Sequence, residues 1–144
     1  MAESPPNLPG VVSGITQQNF DALNRRLYAL EAPEDWVSPT LVNSWARREV
    51  EGYAGPAYRK CIDDRVTIKG LVEHTGSLSA NSVIFTLPEG FRPTGGHLLF
   101  PMLVNTGSVT VCRIQITSAG EVVYIPNTTA AVSSMPLNLS FYAE

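Results

Sequence analysis

Six side chains in this sequence are of types that could do chemistry: Asp63 and Asp64, His74 and His97, Cys61 and Cys112. Paired carboxylates can share a proton or hold a metal ion, imidazoles can act as bases or ligands, and thiols can pair or attack. The spacing argues against each use. Successive residues of an extended chain face opposite ways, so Asp63 and Asp64 do not converge, and Asp-Asp ahead of Arg65-Val66 is a natural turn. His74 follows Glu73 and precedes Thr75-Gly76, which places it in a loop, and His97 follows Gly95-Gly96. Both suit a polar surface or a subunit contact better than a ligand role. Three-fold symmetry would gather three copies of a histidine on one axis, though nothing in the sequence calls for it. Cys61 and Cys112 have no CxxC partner, and two Cys and two His without paired spacing do not make a zinc site. Two buried free thiols in strands is the plain reading, and a Cys61–Cys112 disulfide stays open. GxSxG, GxxxxGK(S/T) and HExxH do not occur, and Gly95-Gly96 is too little for a phosphate loop. No catalytic residue, metal ligand or cofactor is expected, and therefore no enzyme.

Composition narrows the classes further. The chain has 144 residues, 44% of them hydrophobic, enough for one domain with a packed core and room for a short extension. Charged residues are 16%, and ten Lys/Arg against thirteen Asp/Glu leave a net charge of −3. That balance does not suit a protein that neutralises nucleic-acid phosphates. The apolar runs are too short for a membrane-spanning helix. Residues 1–10 carry neither a basic n-region nor an apolar h-region, so no secretory signal is expected. Charge is also uneven. From His74 onward there are two Lys/Arg and three Asp/Glu, against 20 Ser, Thr and Asn. A surface of hydroxyls and amides suits packing between identical subunits or contact with neutral ligands such as glycans.

The chain reads as three zones. Residues 1–14 hold Pro5, Pro6, Pro9, Gly10 and Gly14, which leave no regular structure of their own. They form either a frayed terminus or an arm that orders only against a partner. Residues 15–35 are a helical neck. Thr16 is the expected N-cap and Pro33 the stop. Phe20, Leu23, Leu27 and Leu30 recur at spacings of 3, 4 and 3, the a/d positions of two heptads. So short a helix is marginal in isolation, so its stripe must be buried. It either lies on the domain's own sheet or ties several chains into a parallel, trimeric coiled coil. The narrow stripe and the proline-rich hinge after it favour the coiled coil.

Residues 36–144 form a β head. Val66-Thr-Ile68-Lys-Gly-Leu71-Val72 opens with apolar/polar alternation, the period of a half-buried strand. Val83 to Leu87 follows, closed by Pro88-Glu89-Gly90. Leu98 to Val104 is interrupted by Pro101, which predicts an edge or bulged strand. Val109 to Ile116 carries the strongest pattern, Ser118-Ala-Gly120-Glu121 is a hairpin signal into Val122 to Ile125, and Leu137 to Tyr142 ends the chain. With Leu41 to Trp45 and Ala57 to Ile62, about eight strands emerge with no helix between them. The expected fold is mainly β: an antiparallel sandwich or jelly roll behind a short N-terminal helix.

A family resemblance appears across residues 53 to 125. Tyr58-Arg-Lys60 with Asp64-Arg-Val66-Thr-Ile68-Lys-Gly70-Leu71-Val72 resembles a strand–turn–strand pattern of bacteriophage tail proteins. Ile84-Phe-Thr-Leu87-Pro88-Glu-Gly90-Phe91-Arg92-Pro93 is similar to their (I/F)-x-x-LP-x-G-(Y/F)-R-P block, and Ile114-Gln-Ile116 with Gly120-Glu-Val122 to their next hairpin. Trp45 stands where a tryptophan often opens the repeat. The chain departs at Arg65, where Gly is usual, and at Phe91, where Tyr is commoner. Leu87, Pro88, Gly90, Phe91, Arg92 and Pro93 read physically as a strand corner. Gly90 can take a positive φ, Phe91 is expected to pack back into the core, Arg92 can bond loop carbonyls or a carboxylate, and Pro93 keeps the exit extended.

The resemblance implies a non-enzymatic virion protein made in the bacterial cytoplasm: a trimeric receptor-binding or fibre-tip protein with a helical stalk and a β-sandwich head. Its partners would be two further copies, other virion proteins through the N-terminal arm, and a host-surface glycan, with no nucleic acid and no membrane insertion. Tyr124, Asn127 and Trp36 are the exposed aromatic and amide residues expected to meet sugars, although no residue identifies a glycan. A capsid decoration protein or head fibre is the alternative, and an enzyme on a trimeric β scaffold, such as a nucleotide hydrolase, is a distant third.

Overall fold

The computed structural model describes residues 16–31 and 34–143. The chain divides into two compact units, Met1–Ala32 and Pro33–Glu144. In the first, helix α1 spans Gln17–Glu31. The Thr16 hydroxyl accepts the Asn19 backbone N–H at 3.1 Å, an N-cap bond that satisfies one of the helix's free donors. Gln17 Nε2 donates to Asp21 Oδ1 at 2.9 Å one turn on. Phe20 and Leu23 are half exposed on the single chain. The arm at 1–14, the stop at Pro33 and the side chains of Leu27 and Leu30 lie outside the described residues.

The second unit is built of antiparallel strands. They are β1 (Trp45–Arg47), β2 (Ala57–Lys60), β3 (Arg65–Lys69), β4 (Leu71–His74), β5 (Ser82–Thr86), β6 (Leu98–Asn105), β7 (Val109–Ile116), β8 (Glu121–Ile125), β9 (Val132–Pro136) and β10 (Leu139–Tyr142). One sheet has the order β1-β4-β9-β6-β7-β8-β5, the other β10-β3-β2. In the larger sheet β6 and β9 share a single registered pair, Asn105 with Ser134, whereas β6 pairs with β7 over its whole length. The inward residues of both sheets, among them Val66, Ile68, Ile84, Phe85, Ile114, Ile116, Val122, Met135 and Leu137, form one core. This is the mainly antiparallel, sandwich-like head with a short helix that the alternation predicts.

Four local readings need correction. Val66 to Val72 is two strands in two different sheets. The chain crosses between them at Gly70, whose φ is +112° and whose missing Cβ would collide with the Gly55 carbonyl. Leu41 to Trp45 is a strap rather than a strand, since Asn43 and Ser44 take φ of 56° and 68°, and pairing begins only at Trp45. Strand β9 has no signal in the sequence, because Val-Ser-Ser-Met-Pro lacks alternation. Pro101 interrupts nothing: β6 is continuous, with Pro101 registered opposite Arg113. Its ring nitrogen has no proton to give β7, so it occupies a non-bonded position and turns to the side where the registered pairing with β9 is confined to Asn105.

Candidate functional site

The corner after β5 is held by backbone bonds that its residue types allow. Leu87 is fully buried and its N–H donates to the Gly120 carbonyl at 2.8 Å. Phe91 N–H reaches the Pro88 carbonyl at 3.1 Å, with Gly90 between them at a φ of +88°. Arg92 Nε donates to the Leu87 carbonyl at 2.8 Å, and Pro93 is buried. The Phe91 ring meets Tyr58 edge-on at 5.3 Å, while Lys60 Nζ sits 5.2 Å from that ring's centre and donates to the Gly90 carbonyl at 3.0 Å. The Arg92 and Lys60 side chains both bond backbone carbonyls of the block itself, so these two groups are occupied with shaping the corner.

Of the side chains whose types could do chemistry, Asp63, Asp64 and Cys61 share the β2–β3 turn, while His74, His97 and Cys112 each lie elsewhere. Asp63 and Asp64 form the β2–β3 turn, where Asp64 takes a φ of 64° and Asp63 Oδ1 accepts the Arg65 N–H at 3.3 Å. Arg65 reaches the Cys61 sulfur at 3.9 Å, and this contact, with Asp63, raises the Arg65 pKa. Cys61 therefore lies in a turn rather than a strand. Cys112, on β7, is buried against the Met135 sulfur at 3.7 Å, and both thiols are free. Desolvation pushes the Cys112 thiol up to about 11. His97 Nδ1 accepts the Ser118 N–H at 3.2 Å in an exposed loop. Among the described residues, no three His, Cys, Asp or Glu side chains gather into a metal-binding group.

His74 is not in a loop. It lies buried on β4, with Nδ1 2.9 Å from the Gly76 carbonyl and Nε2 3.0 Å from the Asn43 carbonyl. Trp45 packs edge-on against it at 5.0 Å and against Tyr124 at 5.3 Å, and its Nε1 donates to Ser82 Oγ at 2.9 Å. Tyr124 is thus a core residue, 1% exposed and raised in pKa by burial, and it cannot meet a sugar. Three successive residues of β8, Val122 to Tyr124, are buried, because that strand is covered on both faces. Asn127 is exposed in the loop that follows.

Two outward faces remain. On β6 and β7 the outward residues Leu99, Leu103, Val109 and Val111 are each more than half exposed, and Leu103 lies directly across from Val111. Arg113 is the charged residue among the outward positions of these two strands. The face of β2, β3 and β10 has the opposite character. Tyr58, Val66, Ile68, Leu139 and Phe141 point inward, so Arg59, Arg65, Thr67, Lys69, Ser140 and Tyr142 point out. A bridge between Val37 and Tyr58 lays the preceding strap along β2 and brings Trp36 beside Arg59. The Trp36 ring centre is 4.3 Å from the Arg59 guanidinium carbon and 4.0 Å from Lys69 Nζ. Sequence reasoning singled out Trp36 but missed its two cations, which strand pairing delivers from positions 23 and 33 residues away.

No protein-family profile matches the chain, and no curated protein does. Solved structures do share its fold. The receptor binding protein (gp15) of Listeria phage PSA superposes with a TM-score of 0.63 at 14% identity, over 92% of this chain and 82% of that one. The head domain of phage bIL170, from the receptor binding domains of lactococcal phages, gives 0.53 at 13% identity, over 76% of this chain and 98% of its own. At these identities the likeness is one of fold.

Proposed function

We propose that the chain is a non-enzymatic structural protein of a bacteriophage virion, a trimeric fibre or baseplate tip that contacts the host cell surface. The observation that carries this reading is the shared fold with two phage receptor-binding structures, one of them matched along 98% of its length. The sequence likeness around Leu87 to Pro93 points the same way.

Two surfaces support a multi-chain assembly. Phe20 and Leu23 begin a seam at coiled-coil spacing that the single chain leaves half exposed, and Leu27 and Leu30 continue the spacing. The aliphatic face of β6 and β7 has no aromatic platform for a sugar and one cation for an acidic ligand, so a second copy of the head is its fitting occupant. The helix then serves as the neck, the heads pack around the axis, and residues 1–14 dock into the particle.

Mass measurement on the purified chain should give about three times 15.6 kDa. Substituting Leu23 and Leu27 by Asp should release monomers. The chain should adsorb to host cells, and gold-labelled antibody should mark the tail tip in electron micrographs. Label on the capsid shell would replace this reading with a capsid decoration protein or head fibre.

A further inference from the structure

We infer that the outward face of β2, β3 and β10 binds an anionic polysaccharide, which names the ligand class for the host-surface reading above and rests on it. The face combines the three kinds of group such a polymer requires. Tyr142 offers an exposed aromatic ring, and Thr67 and Ser140, registered opposite one another, offer hydroxyls. Arg59 and Lys69 supply positive charge. The outward residues of these three strands include no carboxylate.

Arg59 and Lys69 carry the argument. Both lie against the one Trp36 ring, 4.3 Å and 4.0 Å from its centre, so that two like charges share a single aromatic ring. Among the described residues neither makes an ion pair, and the buried Arg59 Nε has no hydrogen-bond partner. Like charges without a counter-charge repel, and an acidic group reaching both would offset that repulsion through charge-assisted hydrogen bonds. Arg65 is different, because Asp63 already stands beside it. Beside Lys69 a groove of about 500 Å³ runs past Thr67, Asn138 and Ser140, with Phe100 to Met102 of β6 as its wall. A polymer chain lying there meets amide and hydroxyl groups on one side and an apolar wall on the other.

A neutral glycan would leave both cations without a counter-charge. A nucleic acid would find too few of them: tight binders make about 6–10 phosphate contacts, and the chain as a whole carries a net charge of −3. An acidic polysaccharide, with one charge every sugar or two, matches a pair of cations flanked by hydroxyls.

The test uses the full chain in its native assembly and four probes: a phosphodiester-linked bacterial polysaccharide, polygalacturonate, dextran and single-stranded oligothymidylate. At least one acidic polysaccharide should bind, with affinity falling as salt rises. The Arg59→Gln, Lys69→Gln double variant should lose at least tenfold while its melting temperature confirms the fold. Should that variant fail to fold, Lys69→Gln and Lys69→Glu alone should weaken binding in that order. Equal binding of dextran, tighter binding of the oligonucleotide, no binding of either acidic polymer, or variants that bind like wild type would each overturn the inference. Host-cell adsorption measured alongside separates the two readings. Adsorption that survives the double substitution removes this site alone, whereas a wild-type chain that never adsorbs removes the host-surface role as well.

Discussion

Arg92 reaches back five positions to the Leu87 carbonyl, its Nε 2.8 Å from the oxygen, and so closes the corner on which the β7–β8 hairpin rests. The same Leu87 gives its N–H to Gly120 at the tip of that hairpin, where an added Cβ would stand 2.5 Å from the Leu87 oxygen and 2.6 Å from Arg92 Nε. Replacing Arg92 by Ala leaves a partly buried carbonyl without its charged donor. The expected loss is about 1.5–3 kcal/mol. A thermal melt should show it as a drop of roughly 5–10 °C. Arg92→Lys should recover less than half of the loss, because an ammonium cannot place a donor where Nε sits.

Gly70→Ala should be far more costly than Gly107→Ala. Both positions have positive φ, +112° and +104°, but a Cβ at Gly107 meets nothing within 4 Å, whereas at Gly70 it strikes the Gly55 backbone. Gly107→Ala should cost the backbone strain alone, about 1–2 kcal/mol. Denaturant titration should show at least twice that loss at Gly70, or no folded protein. Equal losses would mean that the crossing between the sheets has room to relax.

Stability should fall in alkali before the ordinary range of tyrosine is reached. The Cys112 thiol is pushed from 9.0 up to about 11, so the folded state binds the proton more tightly than the unfolded chain. That contribution is complete below pH 9 and disappears as the pH climbs toward 11. Tyr58 and Tyr124, both raised by burial, add loss in the same direction at higher pH. Melting temperatures should decline from about pH 9, and Cys112→Ala, although less stable overall, should decline less steeply over that interval. At pH 8 a thiol reagent should modify partly exposed Cys61 well ahead of buried Cys112.

Asp at Leu103 or Val111 probes the aliphatic face directly. Both side chains point away from the core, so the variants should melt within a few degrees of wild type once monomeric. If two heads meet through this face, analytical centrifugation should show a lower assembled mass. Tyr142→Ala, on the other sheet, should leave the mass unchanged. An unchanged mass in Leu103→Asp would assign assembly to the helical seam alone.

Much of the head is legible in the residues because one face of each strand must be covered. Val109 to Ile116 alternates for that reason, and its partner across the Ser118 to Glu121 turn follows from Gly120, which takes a φ of +88°. The corner at Leu87 to Pro93 is local and reads locally. What escaped depends on partners distant in sequence. The alternation of Val66 to Val72 runs smoothly through Gly70, so the change of sheet leaves no trace until Gly55 is known to press against it. Val132 and Met135 are buried through a strand whose residues do not suggest one. His74 resembles a loop residue because its ring partner, the Asn43 carbonyl, stands 31 positions upstream. Tyr124 looks available until Trp45 and His74 are placed around it. The pairing of Trp36 with Arg59 and Lys69 likewise exists only once three segments are in register.

Pro101 has a consequence for proteins displayed at close quarters. Between Leu98 and Val104 the rim of β6 away from β7 has no registered strand partner, the pairing with β9 being confined to Asn105. A rim of free amide protons is a template onto which an extended segment of another molecule can zip, and it is how folded domains nucleate aggregates. An imino acid at the middle of that rim deletes the donor a visiting backbone would need. Many heads could then stand shoulder to shoulder without fusing through their backbones, leaving their contacts to be set by side chains.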